Sequence, residues 1–123
     1  MTAHAYQIYR QTQVSTASPG ELLLMLYDGA IRFARQAQEH LNRGEIEAAS
    51  NRLIRVQDIV NELNLSLDLS VGDIAQNLEQ LYTYIYDRLV HANVKKDPEA
   101  IEEALLLLTE LRDTWAQVVS ETK

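Results

Sequence analysis

Ile46, Ala49, Leu53, Val56, Val60 and Leu63 recur at alternating steps of three and four. That spacing keeps one apolar stripe on a single side of an α-helix, whereas a half-buried strand would alternate at every second residue. Ile101, Ala104, Leu108, Leu111, Trp115 and Val118 repeat the pattern, and Ile74, Leu78, Leu81, Ile85, Leu89 and Ala92 follow it closely. Three helices with one stripe each must bury those stripes against one another, which constrains the chain to an all-α fold.

The ends of these helices are also written in the chain. Ser18-Pro19-Gly20-Glu21 reads as a helix start: the serine accepts a hydrogen bond from the first turn, proline suits the first helical position, and glutamate three residues after the cap completes a capping box. Helix 1 is predicted from about Pro19 to Asn42-Arg43-Gly44, where Gly44 can take the left-handed conformation that closes a helix. Helix 2 is predicted from Glu45 to about Leu65, helix 3 from near Gly72 to near Lys95, and helix 4 from Asp97-Pro98-Glu99 to about Ser120. Asp97 and Pro98 again place a cap and an N1 proline together.

Short connections between long helices make successive helices antiparallel. The expected architecture is an up-down-up-down four-helix bundle over residues 18–120, preceded by an arm or short capping helix over residues 1–17. With only four glycines and two prolines among 123 residues, the chain lacks the turn chemistry an all-β domain requires.

Several function classes fall away on composition. There is no cysteine, so disulfides, thiolate metal sites and a cysteine nucleophile are excluded. The start MTAHAYQIYRQTQ has neither the basic head nor the apolar middle of a signal peptide, and no apolar run reaches the length of a membrane span. A cytoplasmic, non-membrane protein is expected. A net charge of −7 opposes attraction to nucleic acid or anionic lipid. The only adjacent cations, Lys95 and Lys96, sit where a helix C-terminus favours positive charge.

No enzyme or cofactor site is indicated. Di-metal bundles need Glu-x-x-His on two helices, and no glutamate here precedes a histidine at that spacing; His4, His40 and His91 are isolated. His91, with Lys95 one turn away, is the one position resembling a phosphotransfer histidine, although Val90, Asn93 and Val94 crowd it. There is no Gly-rich phosphate loop and no serine in a nucleophile elbow. Gly29 within helix 1 suggests close approach of another helix.

What the stripes leave over is more informative. Leu22-Leu23-Leu24-Met25-Leu26-Tyr27 is apolar all round, and a bundle helix uses only part of its circumference for the core. If Leu23, Leu26, Ala30, Phe33 and Ala37 face inward, then Leu22, Leu24, Met25 and Ile31 are surplus. Similar surplus occurs at Ile54 and Ile59, at Tyr84, Tyr86 and Val90, and at Leu105, Leu106 and Leu107. Apolar area of that extent meets a partner, a second copy or a chain segment.

The order and spacing of several stretches carry a family resemblance. Tyr9, then Val14-Ser15-Thr16-Ala17-Ser18-Pro19-Gly20-Glu21-Leu22 and Leu24-Met25-Leu26-Tyr27-Asp28-Gly29-Ala30, resembles the N-terminal signature of the FliS family. Ile74-Ala75-Gln76-Asn77-Leu78, Arg88-Leu89-Val90-His91-Ala92-Asn93 and Leu111-Arg112-Asp113-Thr114-Trp115 resemble its third and fourth helices. The turn Ser70-Val71-Gly72-Asp73 departs from the paired glycines common there.

The resemblance implies a cytoplasmic export chaperone, not an enzyme. It would bind the disordered C-terminal region of flagellin one-to-one, prevent premature polymerisation and support secretion through the flagellar type III export system, whose export apparatus is a further possible partner. It also implies that the arm, here Tyr6, Ile8 and Tyr9, covers a groove that a client helix later takes. Leu22, Met25, Tyr27, Tyr82, Tyr84 and Tyr86 are the expected client contacts, in grooves bounded by helices 1, 3 and 4. The competing readings are a self-associating structural bundle, homodimeric when client is absent, and a histidine phosphotransfer domain.

Overall fold

A computed structural model describes residues 18–121. Among these residues there are four α-helices: α1 (Pro19–Asn42), α2 (Ile46–Leu65), α3 (Asp73–Lys95) and α4 (Pro98–Glu121). A single 3₁₀ turn, Leu69–Val71, lies between α2 and α3.

α1 and α4 begin where their capping chemistry stands, whereas α2 and α3 start without a side-chain cap. Ser18 Oγ accepts from the Glu21 N–H at 3.2 Å, and Pro19 is the first helical residue. Gly44, at φ 74°, closes α1, with the Glu45 N–H donating back to the His40 carbonyl at 2.8 Å. Glu45 is the cap of α2 and not its first residue. Asp68 accepts from the Ser70 N–H at 3.0 Å and from its hydroxyl at 2.6 Å; these bonds organise the 3₁₀ turn and hold the Asp68 carboxyl below its usual range. After α3, Lys96 takes a left-handed conformation (φ 54°), and Asp97 Oδ1 accepts from the Glu99 N–H at 3.0 Å to open α4.

The helices form a square. α1 packs beside α2 and α4, and α3 packs beside the same two, so α1–α3 and α2–α4 are the diagonals. The direction of packing follows from cross-helix partners. Gly20 meets Val119, Asp28 binds Arg112 and Gln38 binds Glu102: as one strand of residues ascends α1, its partners descend α4. This is an antiparallel four-helix bundle.

The core departs from the simple stripes in an instructive way. α2 buries Ala49, Leu53, Val56, Val60 and Leu63 as its periodicity predicts, but Ile46 stays exposed. In α1 the inward face is Tyr27, Ala30, Ile31, Ala34 and Ala37, while Leu23, Leu26 and Phe33 are only half-buried. In α3, Ala75 and Tyr82 are inside, Leu78 and Leu81 are half-buried, and Ile74 is exposed. In α4, Ala100 and Leu105 join Ile101, Ala104 and Leu108 inside, and Val118 is exposed. A helix at the corner of a square touches two neighbours and so buries an arc wider than a two-helix seam. The apolar-all-round start of α1 lets that arc settle on Tyr27.

Gly29 is buried, and a Cβ placed there would sit 3.6 Å from Ile59 Cδ1, an ordinary contact. The tight approach is at Gly20, where a Cβ would stand 2.8 Å from Val119 Cγ2. The close-approach glycine is therefore Gly20, at the α1–α4 end.

Candidate functional site

The six expected contact residues do not form one surface. Tyr27 and Tyr82 are 0% and 2% exposed, and their hydroxyls hydrogen-bond to each other in the middle of the bundle. They present no side-chain surface to a partner, which corrects the expectation for both. Burial raises both phenols above the ordinary tyrosine range, Tyr27 well above it, with the Trp115 side chain partly opposing the rise.

The reason for the split is angular. Residues two apart on a helix lie about 200° apart, so Met25 faces outward because Tyr27 faces inward. Met25 is 47% exposed, and Leu22 is half-buried on the same helix. Tyr84 and Tyr86 likewise point to opposite flanks of α3. Tyr86 turns toward α2, where it lines a hollow of about 130 Å³ with Val60, Asn61, Asn64, Tyr82 and Thr83. Tyr84 turns toward α4 and donates its hydroxyl to Glu103, which also accepts from Arg88 Nε at 2.8 Å. That sharing holds the Glu103 carboxyl below its usual range, chiefly through the Tyr84 bond, and raises the Tyr84 phenol. Because α1 and α3 are diagonal, no groove is bounded by α1, α3 and α4 together; the grooves run between neighbouring pairs.

Two apolar strips result. The first lies over α2 and α3. The hollow fixes the register, setting Val60 and Asn61 opposite Thr83 and Tyr86, and antiparallel stepping carries this on to Ile54 opposite Val90. Ile46, Ile54, Val90 and Val94 are all exposed, Val94 at 70%. The α2 periodicity places Ile46 in the core stripe and Val94 stands beside His91, so this strip is only half visible in the sequence; the missing signal is the position of α2 and α3 relative to each other. The second strip, over α3 and α4, comprises Tyr84, Leu106 and half-buried Leu107, with Leu106 57% exposed.

Ile31 and Leu105, counted as surplus, are buried. Tyr6, Ile8 and Tyr9 lie outside the described residues. A second hollow of about 320 Å³, at the junction of α1 and α4, is lined by Gln38, Asn42, Pro98, Glu99 and Glu102.

Nothing in the described residues gathers reactive groups. Apart from the paired phenols of Tyr27 and Tyr82, no polar or charged residue there is fully buried, and no three His, Cys, Asp or Glu side chains are placed to hold a metal ion. His91 Nε2 faces Asp97 Oδ2 at 3.3 Å, a carboxylate that would repel phosphate arriving on that ring. No helix is long and apolar enough to cross a membrane.

Comparison with known proteins agrees with this picture. The sequence profile of the family described as "Flagellar protein FliS" matches residues 2–122. The chain is 36% identical over 118 residues to the flagellar secretion chaperone FliS of Bacillus subtilis, covering 96% of this chain and 88% of that one. It is 37% identical over 114 residues to the flagellar secretion chaperone FliS of Salmonella typhimurium, covering 91% and 84% respectively. A crystal structure of a flagellar chaperone from bacteria superposes with a TM-score of 0.78 at 24% identity, covering 96% of this chain and 97% of that one.

Proposed function

The chain belongs to the FliS family of flagellar secretion chaperones, and from that premise we propose that it binds the C-terminal segment of flagellin one-to-one in the cytoplasm, holding it unpolymerised for export. The observation that carries this reading is the pair of apolar strips over α2–α3 and α3–α4, left exposed on a bundle whose own core is complete. Amphipathic client helices would lie along them with their apolar residues inward.

Two strips suit this task better than one pocket. Ordering a flexible client costs about 1 kcal/mol per residue in backbone entropy alone, so a segment of about 40 residues costs roughly 40 kcal/mol. At about 25 cal/mol per Å², offsetting that takes roughly 1,600 Å² of apolar burial. Only a client wrapped over more than one helix face reaches such an area.

In this reading Met25, Leu22, Tyr84 and Tyr86 remain contact residues, joined by Ile54, Val90, Val94 and Leu106. Tyr27 and Tyr82 instead support the surface from below. The N-terminal arm, through Tyr6, Ile8 and Tyr9, competes for one groove, and its release subtracts from client affinity. Handover to the export apparatus follows client capture.

The test is titration of the flagellin C-terminal segment into the purified chain, with light scattering on the product. A one-to-one complex, weakened by Ile54→Glu/Val94→Glu while thermal stability is retained, supports the proposal. A stable dimer that ignores the segment would assign the strips to self-association.

A further inference from the structure

Beyond client binding, we infer that the α1–α2 face centred on Phe33 is a docking site for a carboxylate-bearing segment of a partner protein. The guanidinium carbons of Arg32, Arg52 and Arg55 lie 5.4, 5.7 and 5.7 Å from the centroid of the half-buried Phe33 ring. Three cations thus converge on one aromatic side chain, in a protein whose net charge is −7.

Their lack of partners makes the cluster informative. Arg43, Arg88 and Arg112 each reach a carboxylate, at 3.5, 2.8 and 2.9 Å. Among the described residues, Arg32, Arg52 and Arg55 form no such pair. The arrangement of the helices explains why. One turn from Arg52 in either direction stand Ala48, Ala49, Arg55 and Val56, and Arg55 has Asp58 one turn on but makes no ion pair with it. Arg32 has Asp28 one turn away, but Asp28 is bound to Arg112 from α4. Residues 1–17 contain no aspartate or glutamate, and neither do residues 122 and 123.

Like charges held together without counter-charge disfavour one another, and the arrangement gains when an anion enters. Guanidinium forks match carboxylates in a bidentate fashion. The ring between them offers an apolar contact that a bare anion would not use. Carboxylates one helical turn apart are about 5–6 Å apart at Cβ, a spacing two of these arginines can bracket. The fitting occupant is an amphipathic helical segment with an apolar residue flanked by glutamates or aspartates. Polyanionic nucleic acid is disfavoured by the surrounding negative charge.

The experiment uses the full chain and a short synthetic helical peptide carrying a leucine between glutamates one turn apart, with a glutamine-substituted peptide as control. Fluorescence anisotropy is expected to show saturable binding of the glutamate peptide, weakening as salt rises, and weaker by at least about tenfold for Arg52→Gln/Arg55→Gln or for Arg32→Gln alone. Circular dichroism and melting confirm that each variant is folded. Any of four results overturns the inference: no saturable binding, equal binding of the glutamine peptide, equal binding by both variants, or full competition by millimolar inorganic phosphate. Arginine-dependent self-association of the free chain also overturns it, because the occupant would then be a second copy.

Discussion

The hydroxyls of Tyr27 and Tyr82 bond to each other across the diagonal of the bundle, joining α1 and α3, which do not pack side by side. The pair is enclosed, with Trp115 beside it. It supplies each buried phenol with the partner that burial demands, and it lies directly beneath the hollow lined by Tyr86.

Breaking that pair from one side should cost more than removing both hydroxyls. Tyr82→Phe leaves the Tyr27 hydroxyl short of its partner and is expected to destabilise by about 1–3 kcal/mol, whereas Tyr27→Phe/Tyr82→Phe approaches neutrality. Urea unfolding of the two single variants and the double variant checks this through the coupling term; strictly additive losses would contradict it.

The same pair makes the protein sensitive to alkali. Both folded phenols are raised above the ordinary tyrosine value of 10.0, so their contribution to stability is full below that pH and is lost as pH rises from there toward the folded values. Ultraviolet titration should show Tyr27 and Tyr82 ionising only as the bundle unfolds, and the double phenylalanine variant should lose less stability between neutral and strongly alkaline pH.

Glu103 gives an acid-side readout. Its carboxyl is lowered from 4.5, first by the Tyr84 bond and then by Arg88, so the stabilisation it provides is present above that value and lost as pH falls through the depressed one. Carboxyl NMR titration should find Glu103 titrating low in the native chain and returning upward in Tyr84→Phe. An unchanged midpoint would remove the Tyr84–Glu103 bond from the solution structure.

The two helical glycines should answer alanine in opposite ways. Gly29→Ala fills an ordinary contact distance beside Ile59 and recovers helix propensity, for a gain of about 0.5–1 kcal/mol. Gly20→Ala sets a methyl against Val119, a stiff β-branched side chain, and should lower the melting temperature until Val119→Ala makes room.

On the apolar strips, Ile54→Glu and Val94→Glu each place a charge on side chains already exposed. They are expected to cut affinity for the flagellin C-terminal segment at least about tenfold while changing stability by under about 0.5 kcal/mol. Calorimetry on the segment and thermal melts on the free chain read the two effects separately.

The linear chain by itself determined the helices, because their causes are local: Ser18 and Asp97 cap, Pro19 and Pro98 start, Gly44 stops, and the α2 stripe from Ala49 to Leu63 faces inward as spaced. It also carried the family, through the order of motifs from Tyr9 to Trp115. Only the tertiary structure decided which aromatic residues are core and which are surface. Tyr27 and Met25 stand two residues apart in a stretch that is apolar on every side, so periodicity has no preferred direction there. The hydroxyl that makes Tyr27 acceptable inside belongs to Tyr82, 55 residues away in sequence. The exposed apolar strips have the same origin, for a groove is a property of two helices laid side by side and neither helix carries it alone.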